Sequence, residues 1–406
     1  MALGANTAVF RHLRIAFNAS LKNCPSSSPN LRQTLFIHRR HHSSNATCRF
    51  PRVKFFAVPA NAKTAITEET PQSHYVHPST STSWAEFAEK VSGEWDGYGA
   101  DFSKDGEPME LPESVVPQAY RDWEVKVFDW QTQCPTLAHP THFQLTYKLI
   151  RLLPTVGCEA DAATTYSLLE RNINLLLANA AAASPAAATA FAYQSNGCYV
   201  AVWPKENGGS LVQLELEHCL IHPRDRESRV RIIQAVRIKQ QPPAEDGDDQ
   251  GEPMNMMQLE GIQVFCEQWY GPFRNGEQLG GCAIRDSAFA STPALTSCQV
   301  TGVWQGLPAT ATFQPEEERA NFRELVVDDD DSVPLSVSRD GSSLILLPKQ
   351  LWCSSNQEEE QGETWFQVGW LLDRGLAITS KCSFSADAKL KEVVIACETA
   401  KELMTN

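Results

Sequence analysis

Most of the chain is a succession of short segments in which apolar and polar residues alternate. Residues 143–149 alternate throughout, and residues 123–130 do so over their first half. Residues 295–304 also read as a strand, whereas residues 168–177 fit a helix and a strand almost equally well. A period of two is typical of a half-buried strand, and residues that favour turns separate these segments. The pattern therefore predicts an antiparallel barrel or sandwich of many short strands.

One short helix is predicted before the strands begin. Ser83 is a suitable N-cap, and Glu86 three residues later completes a capping box. Trp84, Phe87 and Val91 then fall at helical spacing on one face. This face is expected to pack against the sheet that follows.

The motif Gly-x-Trp-x-Gly occurs twice, at residues 93–97 and 302–306. A strand pattern that carries Phe follows each copy. Glycine permits a tight entry to the first strand, and the large apolar Trp side chain is suited to closing one end of a barrel. A repeated start of this kind predicts two copies of one structural unit.

The residues around these motifs resemble the calycin superfamily of lipocalins and their relatives. More closely, the chain resembles a family of unknown function in plants and cyanobacteria, whose calycin-type barrels are related to the phycobilin lyases. The resemblance covers residues 84 to about 400 and is carried by the two Gly-x-Trp-x-Gly motifs, Glu217-His218-Cys219-Leu220, Arg229-Val230-Arg231-Ile232-Ile233, Glu267 and residues 383–390. It implies ligand binding or protein assembly in photosynthetic tissue.

The expected fold is mainly β, with two antiparallel calycin or lipocalin-like β-barrels in tandem after a short N-terminal helix. The first barrel is assigned to residues 83–270, with an acidic loop at 240–256, and the second to residues 271–402. Two stretches depart from the family pattern. They are the Ala-rich insert 178–190 and the acidic residues 244–252.

The first part of the chain has the composition of an organellar targeting segment. Residues 1–67 contain no Asp or Glu, yet they carry ten Lys or Arg residues and many Ser. This composition predicts a disordered chloroplast transit peptide at residues 1–62 and a polar leader at 63–82. The stroma is favoured over the thylakoid lumen because no second targeting segment is visible. The alternative is a basic arm that binds nucleic acid or membrane.

Charge narrows the function classes for the remainder. The chain has 35 Lys and Arg residues against 49 Asp and Glu residues, and the ten basic residues of the first segment are included in that count. An acidic remainder argues against a nucleic-acid surface, which needs clustered positive charge. No run reaches the length of about 18 apolar residues that a membrane helix requires. We therefore expect neither a nucleic-acid partner nor a transmembrane segment.

Five residues are candidates for a ligand-binding site. Trp95 and Trp304 are expected to close the two barrels, and Arg229, Arg231 and Glu267 are expected to be polar groups of the first cavity. One interpretation is structural, in which an Arg stacks on the Trp indole by a cation–π contact. The other is that a guanidinium pairs with a ligand carboxylate, with Glu267 as its internal partner.

The sequence contains no motif that identifies a reaction. His139 and His142, and Glu217 and His218 with His222, invite a metal interpretation, but three or four convergent ligands are not apparent, so no metal is predicted. Gly-x-Ser-x-Gly is absent. Catalytic residues therefore remain unassigned, and a non-enzymatic role is favoured.

The leading hypothesis is a chloroplast protein that holds an apolar or amphipathic ligand, such as a tetrapyrrole, a carotenoid or a lipid, in a barrel cavity. Two alternatives stay open. One is an assembly or scaffold factor that holds a photosynthetic protein and binds no small ligand. The other is an enzyme that modifies a pigment or a lipid, which requires a titratable pair facing a cavity.

Overall fold

The computed structural model describes residues 78–156, 163–174, 188–207, 210–240, 255–277, 288–313, 321–327, 334–358, 363–373 and 375–401. The predicted transit peptide, most of the leader, residues 178–187 of the Ala-rich insert and the acidic residues 244–252 lie outside these ranges.

Two short α-helices are present in the described residues, α1 (Pro78–Val91) and α2 (Gln118–Asp122). Helix α1 starts five residues before Ser83, so the predicted capping box is wrong. Proline suits the first turn of a helix because its missing N–H has no intrahelical partner there. The predicted apolar face is confirmed, since Trp84, Phe87 and Val91 are all fully buried.

The first sheet follows α1 and contains eleven strands. They are β1 (Glu94–Ser103), β2 (Asp129–Gln133), β3 (Thr136–His139), β4 (Gln144–Leu152), β5 (Thr165–Asn174), β6 (Ala190–Tyr193), β7 (Tyr199–Asn207), β8 (Ser210–Ile221), β9 (Ser228–Gln240), β10 (Asn255–Gly271) and, from later in the chain, β12 (Asn321–Glu324). Their order is β12-β6-β7-β8-β9-β10-β1-β2-β4-β3, and β5 pairs with β4.

The second sheet contains eight strands. They are β11 (Gly302–Thr312), β13 (Val326–Val327), β14 (Leu335–Arg339), β15 (Leu344–Leu347), β16 (Leu351–Glu358), β17 (Glu363–Asp373), β18 (Leu376–Phe384) and β19 (Leu390–Ala400). Their order is β13-β11-β19-β18-β17-β16-β15, and β14 also pairs with β11.

The prediction of a mainly β protein is confirmed, with some local corrections. Residues 168–177 begin in β5, so the strand interpretation holds for the part that is described. The predicted strand at 295–304 is instead a 3-10 turn over Ser297–Gln299 that leads into β11. Within 123–130 the strand begins only at Asp129. The isolated alternation of a few residues did not distinguish a turn from a strand.

The two sheets share one pattern of connections. Strands β6 to β10 lie side by side in chain order, and β10 then pairs with β1, which pairs with β2. Strands β15 to β19 do the same, and β19 pairs with β11, which pairs with β14. In each sheet the strand that carries the Trp of Gly-x-Trp-x-Gly, β1 or β11, is therefore adjacent to the last strand of the consecutive series, β10 or β19.

Apolar side chains of the two sheets pack against each other. Val264 and Ile232 of the first sheet belong to the same buried cluster as Val368 and Ile395 of the second. On its other face, the first sheet packs its aromatic side chains around α1. No helix among the described residues is long and apolar enough to cross a membrane.

Candidate functional site

A group of four buried charged residues lies on the α1 side of the first sheet, and we call it the first polar centre. Arg229 and Arg231 are two residues apart on β9, so their side chains leave the same face of the sheet. Glu267 on β10 is directly opposite Arg229, and Glu217 lies on β8. Two guanidinium groups and two carboxylates make the centre neutral overall.

Glu267 is held by both arginines. Arg229 Nε donates to it at 2.6 Å, and Arg231 donates through Nε at 3.0 Å and through Nη2 at 2.8 Å. Burial favours the neutral carboxyl, but the two guanidinium groups outweigh burial and hold the pKa of Glu267 below its ordinary value. Both the charge and the hydrogen-bonding capacity of this carboxylate are therefore satisfied internally.

Glu217 is the residue of this centre that was not among the five ligand-binding candidates of the sequence. It accepts hydrogen bonds from Tyr147 at 2.5 Å, Tyr199 at 2.9 Å, Trp203 Nε1 at 2.8 Å and Arg231 Nη1 at 3.1 Å. The sequence holds no signal for it, because Gln213, Glu215 and Glu217 recur at a period of two, as on the solvent-exposed side of a strand, and nothing there indicates that Glu217 has buried partners. Which residues would be those partners depends on strand register.

Trp95 completes the centre. The Arg229 guanidinium lies 4.2 Å from the centroid of its ring, and Trp95 Nε1 donates to the carbonyl of Val91 at the end of α1. The stacking that the sequence suggested is therefore present. Next to Trp95, Gly97 faces Glu267 across β1 and β10.

Trp304 lies in the second sheet, in a separate arrangement that we call the second polar centre. Its Nε1 donates to the carbonyl of Val300, again four residues earlier, and Gly306 faces Glu398 as Gly97 faces Glu267. Glu398 accepts from Arg339 and from Thr379. The predicted site residues are thus divided. Four of them meet, and the fifth belongs to the other centre.

The two centres take their cation from different strands. Arg339, on β14, pairs with Gly302, the first glycine of the second motif. In the first half the corresponding glycine, Gly93, pairs with Thr136. Conversely, Ala377 faces Glu398 where Arg229 faces Glu267. In both halves the guanidinium lies over the Trp of the motif, since Arg339 is 5.4 Å from the Trp304 ring centroid. The pairing of an arginine with Trp and Glu recurs although the strand that supplies it differs.

A pocket of about 360 Å³ lies between the two sheets and is lined by residues of β1, β9 and β10 of the first sheet and of β17 of the second. Its most unusual residue is Asp96, which is only 6% exposed and whose Oδ1 has no hydrogen-bond partner among the described residues. Burial raises the pKa of Asp96 to about 6, although Gln133 hydrogen-bonds the carboxylate. We call this cavity the Asp96 pocket. It is lined by Asp96, Gly97, Tyr98, His222, Ser228, Arg229, Val230, Cys266, Glu267, Gln268, Lys349, Gln350, Trp370, Leu371 and Leu372.

The rim of the Asp96 pocket contains a strained turn. Lys349 and Gln350, between β15 and β16, have φ values of 58° and 62°. Two successive residues in this left-handed region are usually Asn or Gly, because a longer side chain costs free energy there. Lys349 and Gln350 therefore hold a backbone conformation that costs free energy at the rim of the pocket.

Comparison with known proteins identifies no activity. No protein-family model and no curated protein matches the chain. The chain is similar to a crystal structure from the DUF3598 family. That protein has unknown function and comes from Nostoc punctiforme; the similarity covers 78% of this chain and 99% of the other, with 14% identity and a TM-score of 0.44.

The histidines considered in the sequence do not form a metal site in the part of the chain that is described, where no group of three metal-ligating side chains occurs. His139 and His142 stack on each other with ring centroids 3.9 Å apart. His218 is buried between the sheets, and its Nδ1 lies 2.8 Å from Ser380 Oγ. Burial lowers the pKa of His218 to about 4, so it is neutral at physiological pH.

The raised pKa of Asp96 predicts a pH-dependent stability. Because the folded state holds this proton more tightly than the unfolded state does, the free energy of unfolding falls as the pH rises through about 4 to 6. Asp96→Asn should therefore stabilise the protein by about 1–3 kcal/mol at pH 8 and have almost no effect at pH 4. Urea unfolding at both pH values measures this difference. An equal effect at the two pH values would contradict it.

Proposed function

We propose that this protein binds a small amphipathic ligand in the Asp96 pocket. The observation that supports the proposal is that Asp96, a buried carboxylate whose Oδ1 has no hydrogen-bond partner among the described residues, lines a cavity between the two sheets. Leaving a buried acceptor unsatisfied costs about 1–3 kcal/mol, and a ligand that donates a hydrogen bond to Asp96 would recover part of this cost. Small-ligand sites commonly combine an apolar wall with a few polar groups.

The lining of the pocket indicates the chemical class of ligand. Trp370 and Leu372 form an apolar side, whereas Asp96 offers an acceptor. His222 lies on the same rim, and its Nδ1 accepts the backbone N–H groups of residues 224 and 225, which leaves the proton of the neutral ring on Nε2. The ligand we propose has an apolar ring or chain and a hydroxyl or amine that donates to Asp96.

We further propose that each sheet is the wall of a calycin-like barrel and that the mature protein acts in the chloroplast. The matching strand orders and the two Trp–Arg–Glu centres support the first point, and the acid-free first segment supports the second. The first polar centre and the aromatic side chains around α1 occupy the face of the first sheet that would be the inside of this barrel. This packing is why we locate the ligand between the sheets.

The alternative of an assembly factor is favoured by one observation. Strand β5 pairs with β4 at the margin of the first sheet, and it exposes 48% of Tyr166, 54% of Leu168 and 42% of Leu169. Exposed apolar side chains that are grouped on one strand are typical of a surface that contacts another protein.

Binding of 2-naphthylmethylamine, an aromatic amine, tests the proposed function. We expect a 1:1 complex by isothermal titration calorimetry, and we expect Asp96→Asn to weaken it at least tenfold because the charged acceptor is lost. Asp129→Asn is the matched control, since Asp129 is also buried with a pKa of about 6 but caps the turn at Ala290 outside the pocket.

The proposal would fail if the two variants affected binding equally or if the wild-type protein bound no amine. Native mass spectrometry of the protein purified from chloroplasts then distinguishes the alternatives. A bound small molecule supports the ligand-binding role. A stable complex with a photosynthetic protein that is lost in Leu168→Glu supports the assembly factor.

A further inference from the structure

The second polar centre has more hydrogen-bond donors than acceptors. Arg339 is 7% exposed and donates through Nη2 to Glu398, but its Nε and Nη1 have no partner among the described residues. Trp352 is fully buried, and its Nε1 also has no partner in the described part of the chain. The two side chains are in contact, since the Arg339 guanidinium lies 5.5 Å from the Trp352 ring centroid.

Strand pairing shows why the acceptor is missing. A row across the first sheet runs Phe265–Arg231–Cys219–Tyr199. The corresponding row across the second sheet runs Ala396–Thr379–Gly369–Trp352. Trp352 therefore stands where Tyr199 stands in the first half, and Tyr199 donates to Glu217.

The counterpart of Glu217 is Gln367. Glu217 pairs with Ala201 in the first sheet, and Gln367 pairs with Ser354 in the second. The Gln367 amide is neutral, and its Oε1 accepts only a weak hydrogen bond, of 3.4 Å, from Ser354. The first centre thus has two carboxylates for its donors, whereas the second keeps one and leaves three buried donor nitrogens without an acceptor among the described residues.

We propose that this position in the second sheet binds the carboxylate of a small apolar acid. The guanidinium and indole N–H groups supply charge-assisted hydrogen bonds to the carboxylate. The indoles of Trp304 and Trp352 and the side chain of Leu371 supply apolar contact in the same cluster. The ligand carboxylate takes the role that Glu217 has in the first half. This site should bind an anion, whereas the Asp96 pocket should bind a hydrogen-bond donor such as an amine. The two proposals are therefore tested by different ligands, and either can fail without the other.

Hexanoate is the probe for the experiment, and hexylamine is its charge-reversed control. In ¹H–¹⁵N spectra of the full chain, hexanoate should move the Trp352 indole N–H signal, which is assigned by its loss in Trp352→Phe. The Trp304 signal should move less, because Trp304 Nε1 already donates to Val300 at 2.8 Å. Hexylamine should move neither signal.

Two variants test the donors by calorimetry with hexanoate. Arg339→Lys keeps the charge beside Glu398 but removes the free guanidinium N–H groups, so affinity should fall at least tenfold. Trp352→Phe keeps the aromatic packing and should lower affinity about threefold to tenfold, as the loss of one hydrogen bond requires. Trp370→Phe, in the Asp96 pocket, should leave affinity unchanged.

A Trp352 signal that is insensitive to hexanoate would overturn the proposal. An equal response of this signal to hexylamine would also overturn it. So would a result in which Trp370→Phe loses hexanoate binding while Arg339→Lys keeps it.

Discussion

Glu267→Gln should lower the free energy of unfolding by about 3–5 kcal/mol, because it leaves two buried guanidinium groups with a single carboxylate. Both arginines donate to Glu267, and all three side chains are inaccessible to solvent. A loss of this size is a large part of the roughly 5–15 kcal/mol that stabilises a typical domain. Chemical denaturation of the full chain measures it.

Glu260→Gln is the matched control for this prediction. Glu260 is on the same strand, β10, and pairs with Arg237 at a partly exposed position. Its replacement should cost less than about 1 kcal/mol. Adding Arg229→Met to Glu267→Gln removes the uncompensated cation and should restore part of the lost stability. If Glu267→Gln and Glu260→Gln cost the same, the first polar centre does not stabilise the fold as we describe.

Gly97→Ala should destabilise the protein by about 3 kcal/mol because the strands leave no room for a methyl group. A Cβ atom at Gly97 would lie 1.9 Å from the carbonyl oxygen of Cys266, which is backbone and has little freedom to move. Gly306→Ala in the second half meets the carbonyl oxygen of Cys397 at 2.5 Å and should cost about 2 kcal/mol. Thermal and urea unfolding of both variants test the prediction.

Gly261→Ala provides the comparison for both glycine variants. Its Cβ would meet only the Phe102 carbonyl, at an ordinary 3.4 Å. Replacement should change stability by less than about 1 kcal/mol, because the close contact is absent and Ala restricts the unfolded chain. Equal losses at residues 97 and 261 would mean that close approach of strands at the motif is not the reason for its glycine.

The pattern of apolar and polar residues along the chain predicted the features that depend on neighbouring residues. Alternation predicted most of the strands, and the two-residue spacing of Arg229 and Arg231 placed both on one face. The pairing of these residues with Glu267 follows from the register of adjacent strands. The sequence also holds a second mark of the repeat that pattern analysis missed. A Cys-Glu dipeptide faces the second glycine of each motif, as Cys266-Glu267 and Cys397-Glu398.

The Asp96 pocket could not be predicted from the sequence pattern. Its lining joins β1 and β10 of the first sheet to β17 of the second, and periodicity along one strand carries no information about how two sheets face each other. The partners of Glu217 were missed for a related reason, since Tyr147 and Glu217 are brought together only by the curvature of the whole sheet. Contacts of high sequence separation depend on the complete fold.

The pairing of β1 with β10 also has a consequence for the growing chain on the ribosome. Gly97 leaves the exit tunnel about 170 residues before its partner Glu267, which at about 5–20 residues per second is a wait of roughly 10–30 s. Strand β6 also waits on one side, although for a shorter time, since its parallel neighbour β12 begins at Asn321. During synthesis the apolar faces of these strands lack their partners, so the nascent chain should be a good substrate for holding chaperones until its last strands emerge.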